Sequence, residues 1–419
     1  MTTAAVPDAA EIARLQGRTV RVLAAGQVLG GVAFGATVSL GALLAADLSG
    51  RESLSGFATA SVTLGAALCA IPLARLAGRR GRRFALTLGN VFALVGIAIV
   101  ILAAAIRSFP LLLAGVILIG AGNAGNLQSR FAATDLATPQ RRGRDLGTVV
   151  WATTVGGVLG PLMTTPGEVV GAAIGMPPLT GAYLFSIVAQ IAALVLYLVT
   201  LRPDPLMLAQ RVALSSGSSG PVVESDRPVA ARYAMLAVAA SHVVMASVMA
   251  MTPIHLSHLA GVGTGHAGHG DTTAVTQLVG VTIALHVFGM YGASPLFGWL
   301  ADRLGRVNTV LIGLGILVMS LLTLTLWPDE HAAVIVGLFL LGLGWSAGTV
   351  AGSALLTEAT PLARRPRRQG LSDTTMTASA AVGAVLAGIV LETFGYGTLA
   401  LIALSVVAVT AALSPLGRR

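Results

Sequence analysis

Twelve apolar stretches follow one another along this chain, at roughly 20–46, 55–76, 84–106, 110–133, 147–165, 180–201, 233–254, 273–299, 308–326, 332–356, 371–391 and 398–414. An α-helix rises ~1.5 Å per residue, so each stretch approaches or exceeds the ~20 residues needed to cross a bilayer. In lipid a chain segment has to pair its own N–H and C=O groups, and a helix does this within one segment. The predicted fold class is therefore an all-α membrane protein with twelve transmembrane helices. Composition agrees. Hydrophobic residues make up 55% of the 419 residues, 51 more are Gly, and only 10% are charged. Soluble chains carry ~25% charged residues, and this one could not cover a water-facing surface. A lone cysteine, Cys69, rules out an intramolecular disulfide and a cysteine metal cluster. The opening MTTAAVPDAAEIARLQGR is polar and lacks the apolar core of a cleavable signal peptide.

The formal charge of +9 invites a nucleic-acid reading, which the placement of charge rejects. All 26 basic residues are Arg. With a cytoplasmic N-terminus, 24 of them fall on cytoplasmic segments or adjoining helix ends, and only Arg51 and Arg107 fall opposite. That asymmetry is the positive-inside signal. It predicts a multi-pass protein of the cytoplasmic (inner) membrane with both termini cytoplasmic. Its partners are then membrane lipid and a small-molecule or metal-ion substrate, not nucleic acid, and a monomer is expected.

Residues 202–232 break the apolar rhythm with SSGSSGPVVESDRP, the composition of a flexible linker. The sequence is thereby divided into an N-terminal six-helix bundle (1–201), a cytoplasmic linker (202–232) and a C-terminal six-helix bundle (233–419). The halves repeat each other. Gly81 matches Gly305 at an offset of 224; Thr134-Asp135 matches Thr357-Glu358 and Gly147 matches Gly370, both at 223. Such internal duplication is frequent in transporters, with substrate near the midplane between the repeats.

Gly298-Trp299-Leu300-Ala301-Asp302-Arg303-Leu304-Gly305-Arg306 resembles the G-x-L-A-D-R-x-G-R loop of the major facilitator superfamily. It lies between spans eight and nine, where that family places its second copy. The first copy, Ala74 to Leu86, keeps Gly81 and Arg82 but has Ala74 for the first Gly and Gly78 for the Asp. The resemblance covers the whole chain and implies two pseudo-symmetric six-helix bundles, the major facilitator fold. It also implies a gating role for Gly298, Asp302, Arg303, Gly305 and Arg306, with Gly81 and Arg82 in the first copy. Asp302 is expected to latch near the start of span five, where Arg144 lies. In span five, Gly156, Gly160 and Pro161 resemble the G-x-x-x-G-P motif of the antiporter branch; a Gly-Pro kink with close packing explains them equally. The membrane Arg that many members carry in span four is missing from FPLLLAGVILIG.

Ionisable groups inside a membrane are costly and mark function. The mid-span ones are two histidines, His242 in span seven and His286 in span eight. His242, Met245 and Met249 share one helical face by spacing, as do His286 and Met290. Thioether and imidazole suit copper. The pattern resembles the CcoA-like copper importers of the superfamily, which carry M-x-x-x-M in span seven and H-x-x-x-M in span eight. That resemblance implies Met245, Met249, His286 and Met290 as copper ligands, with His242 beside them. Helix packing by the methionines, and a hydrogen-bonded or proton-carrying histidine, are the competing explanations. The outside loop adds His255, His258, His266 and His269, a tract that could collect metal ions or be chemically idle. In the other half, Asn123 and Asn126 of span four and Gln27 of span one are candidate cavity amides, with Gln190 of span six a weaker one; interhelical hydrogen bonding is the alternative. No phosphate-binding Gly loop and no catalytic constellation is readable, so neither direct ATP drive nor enzyme activity is expected. The chain reads as a secondary active transporter working by alternating access. It needs no cofactor, with copper as a possible substrate moving along the Met/His pathway. The alternative is a proton-coupled efflux antiporter or solute transporter for small organic molecules such as drugs or flavins.

Overall fold

In the computed structural model, residues 7–51, 54, 56–215, 226–259 and 272–419 are described. Among these the regular structure is helical and no strand occurs. The helices are α1 (Ala9–Ser49), α2 (Gly56–Arg80), α3 (Arg82–Ala105), α4 (Phe109–Ala132), α5 (Arg142–Leu162), α6 (Thr164–Ala173), α7 (Ala182–Thr200) and α8 (Pro205–Ser215). They continue with α9 (Pro228–Leu259), α10 (Thr272–Gly292), α11 (Ser294–Leu304), α12 (Arg306–Leu326), α13 (His331–Glu358), α14 (Arg365–Phe394) and α15 (Tyr396–Ala412). Each expected span coincides with one helix or a broken pair of helices. Among the described residues, nine segments are long and apolar enough to cross a membrane, and the bent α5–α6 pair would make a tenth. α15 is apolar but only 17 residues long.

Two spans expected to be continuous are broken. Span five stops at Leu162 and resumes as α6 at a 50° angle. Pro161 and Pro166 bring no N–H to the helical ladder there. Span eight stops at Gly292 and restarts at Ser294, with Pro295 in the first turn of α11. A proline fits that first turn and obstructs the continuation of the helix before it.

The chain groups into two compact units, 1–226 with 357–374, and 227–356 with 375–419. In the first unit, α2, α3 and α4 pack backbone against backbone at glycines. A Cβ on Gly65 would stand 1.9 Å from the Ile117 carbonyl oxygen, and one on Gly120 2.1 Å from that of Val62. α1 meets α5 in the same way at Gly31 and Gly156. Small residues let helices in lipid approach closely enough for van der Waals contact to hold them. Leu40, Leu44, Ile97, Val100, Leu112, Ile119 and Tyr183 fill the space these contacts enclose. The outer faces are also apolar: Val188, Ile191 and Val195 of α7 are exposed, as lipid contact requires. In the second unit α10 packs on α13 at Gly289 and Gly342, and α12 packs on α13 at Gly313 and Gly344.

The repeated glycines of the two halves share a conformation. Gly81 has φ 92° and ψ 165°, Gly305 φ 93° and ψ 152°, and each precedes a helix that begins on Arg. Only glycine adopts this region freely. At Gly81 the turn is also filled: a Cβ would lie 2.4 Å from an Asp204 carboxylate oxygen. That carboxylate accepts from the Arg83 N–H at 2.7 Å and from Leu206 and Met207 at 3.1 Å, capping α3 and α8 together.

Candidate substrate-binding site

In the second unit the side chains of interest stand on α9, α10 and α13. Trp345 of α13 donates its indole N–H to Nδ1 of His242 on α9 at 2.6 Å, with ring centroids 5.6 Å apart. Tyr291 of α10 meets the same indole edge-on at 5.5 Å. Trp345 is buried, whereas His242 and Tyr291 are partly exposed. An indole nitrogen only donates, which leaves His242 Nδ1 as the acceptor.

His286 is held differently. Its Nδ1 lies 2.8 Å from the Leu338 carbonyl of α13; a carbonyl only accepts, so Nδ1 carries the proton. Nε2 is buried and has no hydrogen-bond partner among the described residues. Met290 and Met245 are buried and Met249 is partly exposed. Among the described residues, no group of three or more His, Cys, Asp and Glu side chains is placed to hold a metal ion. His255 is engaged: Nε2 lies 2.7 Å from the Pro328 carbonyl, and the ring stacks on Tyr396 at 4.1 Å. The His258 side chain, His266 and His269 lie outside the described residues.

In the first unit, α1, α3, α4 and α7 enclose a small polar cavity. Asn123 and Asn126 line it, together with Gln190, Asn90 and Phe34. Gln27 does not line it. Its Nε2 donates to the Asn126 backbone carbonyl at 3.2 Å and ties α1 to α4. Gly156 is the contact point on α1, while Gly160 is buried just before the break at Met163.

Several charged residues of the loop motifs and their neighbours have partners inside their own unit. Arg82 bonds Asp135 at 2.8 Å and Gln369 at 2.7 Å, all three buried. Arg130 pairs with Asp373, and Arg365 donates to the Thr357 and Thr360 carbonyls. Burial lifts the Asp135 carboxyl above its ordinary range, and the Arg82 guanidinium draws it only partly back. Asp226 is held low by hydrogen bonds from Arg368 and Arg364. In the second unit Asp302 pairs with Arg306 at 2.6 Å, and Arg303 lies over the Trp299 ring at 5.0 Å. Gly298 is buried in α11. Arg144 is exposed and lines, with Gln16, Arg141 and Asp145, a cavity of about 410 Å³ beside α1.

Sequence reasoning passed over Trp345, Tyr291, Asn90 and the Arg130–Asp373 pair. Trp345 had a signal: an aromatic with a polar N–H in the middle of a Gly-rich apolar span needs a partner. Asn90 stands alone in TLGNVFALVG and becomes notable only beside the other amides.

Comparison with known proteins agrees with this architecture. An uncharacterized MFS-type transporter, YddS, of Bacillus subtilis (strain 168) is 34% identical over 400 residues, covering 93% of this chain and 88% of that one. The riboflavin transporter RfnT of Brucella anthropi is 28% identical, covering 91% of each chain. Among solved structures, the human organic anion transporter MFSD10 superposes with a TM-score of 0.74 at 20% identity, covering 95% of this chain and 99% of that one. A bacterial homologue of the iron transporter ferroportin, in its outward-facing state, gives 0.69 at 14% identity, over 96% and 100%. The sequence profile of the Major Facilitator Superfamily matches residues 23–281 and 270–417, and the chain belongs to that superfamily of membrane transporters.

Proposed function

We propose that this protein is a secondary transporter of the cytoplasmic membrane for a small, planar organic solute of the flavin type. In this reading the halves 1–201 and 233–419, joined by 202–232, work by alternating access. The observation that carries it is the ring group His242–Trp345–Tyr291, whose buried indole is fixed by a 2.6 Å hydrogen bond and contacts two partly exposed residues. Fixed aromatic faces bind planar rings by offset or edge-on stacking. A pocket of that kind takes its specificity from a few placed polar groups. The likeness to a riboflavin transporter supports the same solute class.

The test is uptake of labelled riboflavin by cells that lack their own flavin transport and synthesis. Expression of this chain should give saturable uptake. Trp345→Ala should reduce it by about tenfold or more, the loss of roughly one stacking contact and one hydrogen bond. Uptake unaffected by Trp345→Ala would move the solute elsewhere.

Copper remains a second reading, favoured by one observation. His286 donates Nδ1–H to a backbone carbonyl and keeps a buried Nε2, without a hydrogen-bond partner among the described residues, one helical turn from Met290. That is the outer-shell arrangement of a metal-binding imidazole. In the same cells, copper accumulation that is lost in both His286→Asn and Met290→Leu, with riboflavin uptake absent, would select it over the organic solute.

A further inference from the structure

The amide cavity of the first unit lies at mid-length of its four helices, on Phe34 of α1, Asn90 of α3, Asn123 and Asn126 of α4 and Gln190 of α7. Among the described residues, no charged side chain lines it. Gln190 is 4% exposed, and its Oε1 has no hydrogen-bond partner among the described residues. A buried acceptor left without a donor is costly, and such a site selects a visitor that brings one. Asn90 is already committed in part, with Nδ2 donating to the Leu86 carbonyl at 2.8 Å. Asn123 and Asn126 are partly exposed, so the cavity is reached past them. Glycine keeps its shape: a Cβ on Gly30 would stand 2.2 Å from Asn126 Nδ2.

We infer that this cavity recognises the uncharged amide or imide edge of the transported solute, with the Gln190 carbonyl as acceptor for its N–H. The inference rests on the organic-solute reading and names the part of the solute that is read. An ion in this lining would lose its hydration with no counter-charge to replace it, which excludes charged groups. Carboxamide side chains both donate and accept, and so match an edge carrying N–H beside C=O. The cavity has room for about one water-sized group, so only the edge of a ring enters. A resident water would be displaced by a group that reproduces its hydrogen bonds.

The test is equilibrium binding to the purified full-length protein, read by flavin fluorescence, with riboflavin and with N3-methyl-riboflavin, which has lost the imide N–H. Wild type should prefer riboflavin by about tenfold or more. Gln190→Leu should weaken riboflavin by about the same factor and remove the preference, because the acceptor it exploits is gone. If Gln190→Leu does not fold, Asn123→Leu, on the partly exposed wall, is the second variant. Equal riboflavin binding by wild type and the variants overturns the inference, leaves the flavin reading standing, and assigns the cavity to an ordered water. If wild type binds neither flavin, uridine is titrated as an uncharged imide. Binding that depends on Gln190 keeps the role of the cavity and removes the flavin, whereas no binding overturns both.

Discussion

At the scale of single residues, the buried ion pairs of the first unit fix position more than they add stability. Arg82 and Asp135 are both buried, and a pair withdrawn from water recovers its lost hydration only in part. The raised carboxyl of Asp135 binds its proton more tightly in the folded chain than in the unfolded one. Its contribution is therefore full below the ordinary carboxylate pKa and declines as pH rises through the folded value. Removing one partner is a different matter, because it strands the other charge. Asp135→Asn should lower unfolding stability by about 3–5 kcal/mol, whereas Arg82→Met with Asp135→Leu should recover most of that loss. Thermal unfolding of the purified protein at neutral pH measures both. A single variant as stable as wild type would show that water reaches Arg82. The sequence displayed Arg82 within a recognisable loop motif, but not Asp135 or Gln369 as its partners. They lie 53 and 287 residues away, and spacing carries no information about contacts of that range.

At the scale of elements, composition displayed the spans because the demand for about twenty apolar residues is local. The breaks in spans five and eight were harder to read, since helices in membranes tolerate proline when neighbours satisfy the freed backbone groups. Packing was half legible: many glycines were visible, but not which of them touch a neighbour. The structure separates them. Gly120→Val should destabilise the protein by about 2 kcal/mol or more, because any side chain there meets the Val62 carbonyl. Gly157→Ala should be neutral or slightly stabilising, by at most about 1 kcal/mol, since nothing lies within 4 Å of the added carbon. Thermal unfolding of the two variants decides; equal losses would contradict the close α2–α4 contact. The amides show the same division. Asn123 and Asn126 were legible as polar residues in a span, whereas Gln27, equally polar, proves to tie two helices together.

At the scale of the whole molecule, the duplication read from three spacings reappears as geometry at Gly81 and Gly305, which share one glycine-only conformation 224 residues apart. Superfamily membership follows from the matched profile over most of the chain. The substrate was less legible, because the Met and His residues that resemble a copper pathway also serve as packing and as ties between helices. His286 bonds the Leu338 carbonyl, and His242 accepts from Trp345. Neither partner could be inferred from a pattern of i, i+4 spacings. The most direct measurement of the central claim is counterflow in proteoliposomes, which needs neither the direction of transport nor the coupling ion. Vesicles loaded with unlabelled riboflavin and holding the purified protein should accumulate labelled riboflavin transiently, and Trp345→Ala vesicles should do so about tenfold more slowly. Absence of riboflavin counterflow, in vesicles whose protein carries copper across the bilayer, would contradict the account.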